Sequence, residues 1–167
     1  LLCAAATVLL GGCSTFGFGG SNNDDDNVPT VVKKKADYGQ AYKDYVELGA
    51  QYLQMGRYDL AEPKLQRAIE IDSHPPEAWN ILAVLYEEKR DIASGNQVYQ
   101  KLIHSHPEYL LGYTNYATFL CKFDRDSEMQ TLLGQMRGRN AEFKAAAGIA
   151  EGNCMQRRGQ SGTAENA

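Results

Sequence analysis

The apolar residues of this chain fall into three regimes. Leu1 to Leu10 is nearly all apolar. Residues 14–37 scatter a few apolar side chains among glycine, asparagine, aspartate and lysine, with no period. From Tyr38 onward apolar positions recur every three or four residues, the spacing of one helical face, and this pattern itself repeats. Tyr45, Trp79 and Tyr113 stand 34 residues apart (79 − 45 and 113 − 79). The same step joins Leu48, Leu82 and Tyr116, then Gly49, Ala83 and Ala117, then Tyr52, Tyr86 and Leu120. Later in each period it joins Ala61, Gly95 and Met129, and Leu65, Tyr99 and Leu133. Each period predicts two antiparallel helices, A and B.

A 34-residue period with aromatic, leucine, small and aromatic columns is the signature of the tetratricopeptide repeat (TPR). The predicted fold is all-α, a TPR superhelical solenoid of about three helix pairs plus a terminal helix, spanning residues 38–160. The small column of helix A lets helix B approach closely, and Ala61 and Gly95 answer it from helix B. The large column (Tyr45, Trp79, Tyr113) is expected to fill the space between neighbouring pairs. Met55-Gly56-Arg57 reads as the first A-to-B turn, while Pro75-Pro76 and Pro107 fall between units, where a proline loses no helical hydrogen bond. The five prolines are expected to avoid helix centres. In the third unit Met129 replaces the small residue of helix B. One further helix A is expected from Glu142 to Arg158, ending at Gly159, with a disordered tail over 161–167. A strict step puts Cys154 in the column of Tyr52, whereas aligning Gly159 with Gly56 needs a one-residue insertion; both registers stay open.

The first regime is too short to span a bilayer. It reads as part of a secretory signal peptide over residues 1–12, and the missing Met and basic n-region imply that the sequence is clipped at its start. Leu10-Gly11-Gly12-Cys13 resembles the lipobox of bacterial lipoproteins, which implies lipidation of Cys13 and no other bound group. Each buried CH₂ of such chains contributes about 0.8 kcal/mol, so several acyl chains anchor a protein firmly. Ser14, where an aspartate would signal retention at the inner membrane, implies the periplasmic face of the outer membrane. Residues 13–37 then form a flexible tether, too polar to order themselves; Asp24-Asp25-Asp26 within it lacks calcium-loop spacing.

Charge narrows the function classes. With 17 basic and 21 acidic residues the formal net charge is −4, which argues against a nucleic-acid binder. The four cysteines fit an exported protein. Cys3 leaves with the signal, Cys13 carries lipid, and Cys121 and Cys154 remain as a pair expected to form a disulfide in an oxidising compartment; the alternative is two buried thiols. No catalytic constellation is legible. His74, His104 and His106 sit at the ends of B helices, where a cation suits the helix dipole, and they lack the convergent spacing of metal ligands. No phosphate loop or nucleophile motif occurs. The chain reads as a non-enzyme, with no small-molecule substrate.

Function then falls to the groove lined by the A helices. Residues pointing away from helix B are Lys43, Val46, Ala50 and Leu53 in the first unit. Their equivalents are Glu77, Asn80, Val84 and Glu87, then Leu111, Thr114, Thr118 and Cys121. This mixed apolar and amide lining suits an extended peptide or a partner helix.

Tyr45-Val46-Glu47-Leu48-Gly49-Ala50-Gln51-Tyr52-Leu53, Leu60-Ala61-Glu62-Pro63-Lys64-Leu65, Ala78-Trp79-Asn80 and Asn115-Tyr116-Ala117-Thr118-Phe119-Leu120-Cys121 carry a more specific likeness. With Asn153-Cys154 ahead of Gly159, these segments resemble the PilF/PilW family of type IV pilus biogenesis lipoproteins over about residues 40 to 160. The resemblance implies a pilotin, which binds secretin subunits and promotes their assembly in the outer membrane. The rival expectation is a TPR lipoprotein adaptor for β-barrel assembly or for cell-wall hydrolases.

Overall fold

A computed structural model describes residues 37–164. The readings for the signal peptide, Cys13, the tether up to residue 36 and the last three residues lie outside these described residues. Seven helices follow one another: α1 (Tyr38–Gln54), α2 (Tyr58–Ile71), α3 (Pro76–Glu88), α4 (Ile92–Ser105), α5 (Leu110–Lys122), α6 (Asp126–Arg137) and α7 (Ala141–Ala164). Within the described residues there is no strand. The all-α TPR solenoid of three helix pairs plus a terminal helix is the observed architecture, with α1, α3, α5 and α7 as A helices and α2, α4 and α6 as B helices.

Local chemistry sets the helix starts. The Asp37 carboxylate accepts from the Gln40 backbone N–H at 3.1 Å, and Asp91 accepts from that of Ser94 at 3.1 Å. Asn140 accepts from the Phe143 backbone N–H at 3.0 Å and so opens α7. Each cap satisfies one donor that a helix start leaves without an internal partner. Pro63 departs from expectation: it lies inside α2, beyond the first turn. Burial of Ala61, Leu65 and Ala68 on the same helix outweighs the hydrogen bond that the proline removes.

The three A-to-B turns are one device used three times. Gly56, Arg90 and Asp124 all have positive φ (69°, 56° and 55°). They stand one repeat apart, 34 residues (90 − 56 and 124 − 90). Behind each, a backbone N–H closes on the preceding helix: Arg57 to Tyr52, Asp91 to Tyr86 and Arg125 to Leu120, at 2.8–2.9 Å. This is the left-handed helix stop that glycine adopts most easily, so only the first turn holds its preferred residue. Arg90→Gly is therefore expected to stabilise the fold by about 0.5–1 kcal/mol, the relief of a left-handed side chain less the extra freedom of an unfolded glycine. A rise in the urea midpoint checks it; an unchanged or lower midpoint counts against it.

Close approach explains the small columns. A Cβ built on Gly49 would stand 2.7 Å from two carbons of the Leu65 side chain, so α1 and α2 meet there without room for a methyl group. Gly95 differs from expectation in its partner. A Cβ there would stand 2.8 Å from the ring of Phe119 on α5, so this glycine admits the next unit as well as its own. Phe119 is fully buried, with ring centroids at 5.3 Å from Tyr99, 6.2 Å from Tyr116 and 5.0 Å from Phe123. Of the large column, Tyr113 bridges units: its hydroxyl donates to the Ile103 carbonyl at 3.4 Å and its ring meets Phe143 edge-on at 5.1 Å. Trp79 is half-buried, with Lys101 over its ring at 4.1 Å.

The last helix resolves the register. Ala78, Leu82 and Leu85 of α3 and Gly112, Tyr116 and Phe119 of α5 are buried 34 residues apart. On α7 the matching inward positions are Ala147, Glu151 and Cys154, a step of 35 (147 − 112, 151 − 116, 154 − 119). The one-residue insertion is the correct alignment, and Gly159 becomes the counterpart of Gly56. Yet α7 does not end there. It runs to Ala164, which corrects both the predicted stop and the start of the predicted tail. Gly159 does not take the left-handed conformation, and Gln160 to Thr163 offer no apolar stripe to draw the chain back.

Candidate functional site

Consecutive A helices touch (α1 with α3, α3 with α5, α5 with α7), whereas no two B helices do. The A helices thus form the inner wall, and the site is built on it. Polar rungs close that wall. The Tyr42 hydroxyl donates to Glu77 at 3.5 Å and accepts from the Ala78 backbone N–H at 3.4 Å. The Asn115 amide donates to Asn80 Oδ1 at 2.9 Å. Lys122 Nζ donates to Glu87 at 3.0 Å and to Glu88 at 3.2 Å. Between α5 and α7 the rung is covalent: Cys121 and Cys154 are joined in a disulfide, with Cα atoms 5.8 Å apart. Arg158 then reaches back to Asp124 and Asp126.

These rungs correct part of the expected groove. Asn80 is buried at 8% exposure and committed to Asn115, so it does not face a ligand. Glu87 keeps 12% of its side chain exposed, held by Lys122 and by the Tyr99 hydroxyl at 3.4 Å. Cys121 is buried in its disulfide. Leu53 packs with Tyr52 against the core formed by Leu65, Leu82 and Leu85. Ala50 and Val84 are partly exposed. Thr114, half-buried, and Thr118, exposed, spend their hydroxyls on the carbonyls of Leu111 and Thr114, each at 3.0 Å. Leu111 is exposed.

Three expected residues do converge. Lys43, Val46 and Glu77 line a hollow of about 510 Å³ where α1 meets α3 and the loop between α2 and α3. Tyr42, Glu47, Asp72 and Pro75 complete it and were not anticipated. Its wall is chiefly apolar, built from Tyr42, Val46, Pro75 and the backbone of Gly39. Burial of the Tyr42 ring pushes its phenol pKa up to about 12; the Ala78 N–H opposes the rise, while Glu77 and Asp72 add to it. The phenol therefore stays a neutral hydrogen-bonding post at physiological pH. Proline and carboxylates from an inter-unit loop escape helical periodicity, although a step of 35 from Tyr42 to Glu77 would have flagged that pair.

On the opposite side α4 and α6 enclose a trough of about 380 Å³ lined by Gln100, Ile103, His104, Pro107, Tyr113 and Gln135. It lacks the apolar floor of the first hollow. Among the described residues no group of three His, Cys, Asp or Glu side chains is placed to hold a metal. No described helix is long and apolar enough to cross a membrane.

No family model matches the chain. Over 119 residues it is 30% identical to the type IV pilus assembly protein PilF of Pseudomonas aeruginosa, a stretch covering 71% of this chain and 43% of that protein. The chain thus spans less than half the length of this relative. A solved structure of Pseudomonas aeruginosa PilF superposes with a TM-score of 0.54 at 28% identity, over 59% of this chain and 44% of that one. The TPR domain of Arabidopsis OM64 superposes with a TM-score of 0.57 at 15% identity, over 72% of this chain and 98% of that domain; it speaks for the fold alone.

Proposed function

We propose that this chain is a scaffold of type IV pilus assembly, an outer-membrane pilotin lipidated at Cys13 that binds secretin subunits and promotes their assembly. The observation that carries the reading is the similarity to a type IV pilus assembly protein, which runs through the repeats that build the hollow. The mechanism is binding and not catalysis. An apolar segment of the partner enters the hollow between α1 and α3, with Val46 and the Tyr42 ring as its floor. Hydrophobic burial supplies the affinity, while the lipid on Cys13 keeps the complex at the membrane.

Pull-down of the full chain from membranes tests this. Secretin is expected to be recovered with the native protein and at least tenfold less with Val46→Asp, whose half-exposed site should leave the helical circular dichroism unchanged. Cys13→Ala should move the protein from the membrane pellet to the soluble fraction. Recovery of barrel-assembly components or cell-wall hydrolases without secretin would replace this reading by the adaptor role.

A further inference from the structure

Resting on that docking role, we infer that the segment received by the hollow carries a lysine or arginine directly beside its apolar anchor. Three carboxylates, Glu47, Asp72 and Glu77, stand on the rim against one amine, Lys43. With His74 neutral the rim is negative by two charges (3 − 1). Neither Glu47 nor Glu77 has an ion-pair partner among the described residues. Glu47 accepts from the Gln51 amide at 3.1 Å, and Glu77 from the Tyr42 hydroxyl at 3.5 Å. Asp72 faces only His74 Nδ1, at 3.1 Å on an exposed turn. Elsewhere on the inner wall the carboxylates are matched: Glu87 and Glu88 share Lys122, and Asp124 and Asp126 share Arg158. The unmatched ones gather at the apolar hollow.

Docking chemistry follows from that placement. An apolar side chain entering the hollow drives water from its rim, which strengthens the field of the nearby carboxylates. A neutral flank would leave Glu47 and Glu77 partly desolvated without compensation, and an acidic flank would be repelled. A basic flank lets the carboxylates keep a charged partner as water leaves. Recognition is then two-part: the hollow selects an apolar anchor and the rim selects its neighbour.

Random peptides displayed on phage and panned against the full chain provide the test, with binding of synthetic copies followed by fluorescence anisotropy. Enriched peptides are expected to hold Lys or Arg within two residues of an apolar anchor. Their affinity should fall at least tenfold in the Glu47→Lys/Glu77→Lys double variant, and should weaken as NaCl is raised. Enrichment without a basic excess, or affinity changed less than twofold by the double variant, overturns the inference and leaves docking at the hollow standing. No enriched peptide, with Val46→Asp still abolishing secretin recovery, overturns it equally. If Val46→Asp is also without effect, the docking role falls with it.

Discussion

Replacing Phe119 by alanine is expected to destabilise the fold by about 3–5 kcal/mol, the range for removing a fully buried aromatic ring. Phe119 has no exposed surface and lies among Tyr99, Tyr116 and Phe123. Such ring contacts add about 0.5–1.5 kcal/mol per pair beyond the area they bury. Relaxation cannot readily fill the space, because Gly95 stands at its edge with no side chain to move inward. The loss should appear as a fall in the urea midpoint with little change in slope. Phe119→Leu, which keeps most of the volume, should cost markedly less. Gly95→Ala should be destabilising by about 1–3 kcal/mol, as overpacking is, and less so once Phe119 is leucine. A loss below about 1 kcal/mol for Phe119→Ala would sink the claim that this contact joins the second and third units.

The repeat was legible in the sequence because each column is a packing requirement met again at the same place. Gly49 admits Leu65, Ala61 and Ala83 are fully buried, and the turn at Gly56 recurs at Arg90 and Asp124. The turns at Arg90 and Asp124 carry no glycine, so composition alone hides them and the period reveals them. The inner wall was read less well. Columns 34 residues apart describe equivalent places, whereas touching places on adjacent A helices lie 35 apart: Tyr42 with Glu77, Asn80 with Asn115, Glu87 with Lys122. A side chain judged from its own helix looks free when its partner sits one repeat and one residue away. Asn80 and Glu87 were assigned to the groove for that reason. The hollow was half legible: Lys43, Val46 and Glu77 follow from the helix face, but Asp72 and Pro75 come from a loop, where no period exists. At the C-terminal end the period failed by one residue, and glycine at position 159 was read as a stop. A left-handed glycine ends a helix only when the following segment has an apolar face to bury.

Breaking the Cys121–Cys154 bond, by reduction or by the Cys121→Ala/Cys154→Ala pair, is expected to remove about 3–4 kcal/mol, the loop-closure contribution for a 33-residue separation. The effect should be local before it is global. The start of α7 is held by other means: Phe143 packs edge-on against Tyr113, and Arg139 lies over both rings at 4.5 and 5.3 Å. Arg137 also pairs with Glu151. Beyond Ala150 only Cys154 is buried, and Met155 is 64% exposed. The ion pair from Arg158 is solvent-exposed, of the kind that contributes little. Hydrogen exchange after reduction should therefore accelerate from about Gly152 onward while α1 to α4 keep their protection. Because α7 leans on α5 and α6, the urea midpoint should fall for the third unit as well. A midpoint unchanged by reductant, or exchange that accelerates first in α1 and α2, would mean that the bridge does not hold the terminal helix to the stack.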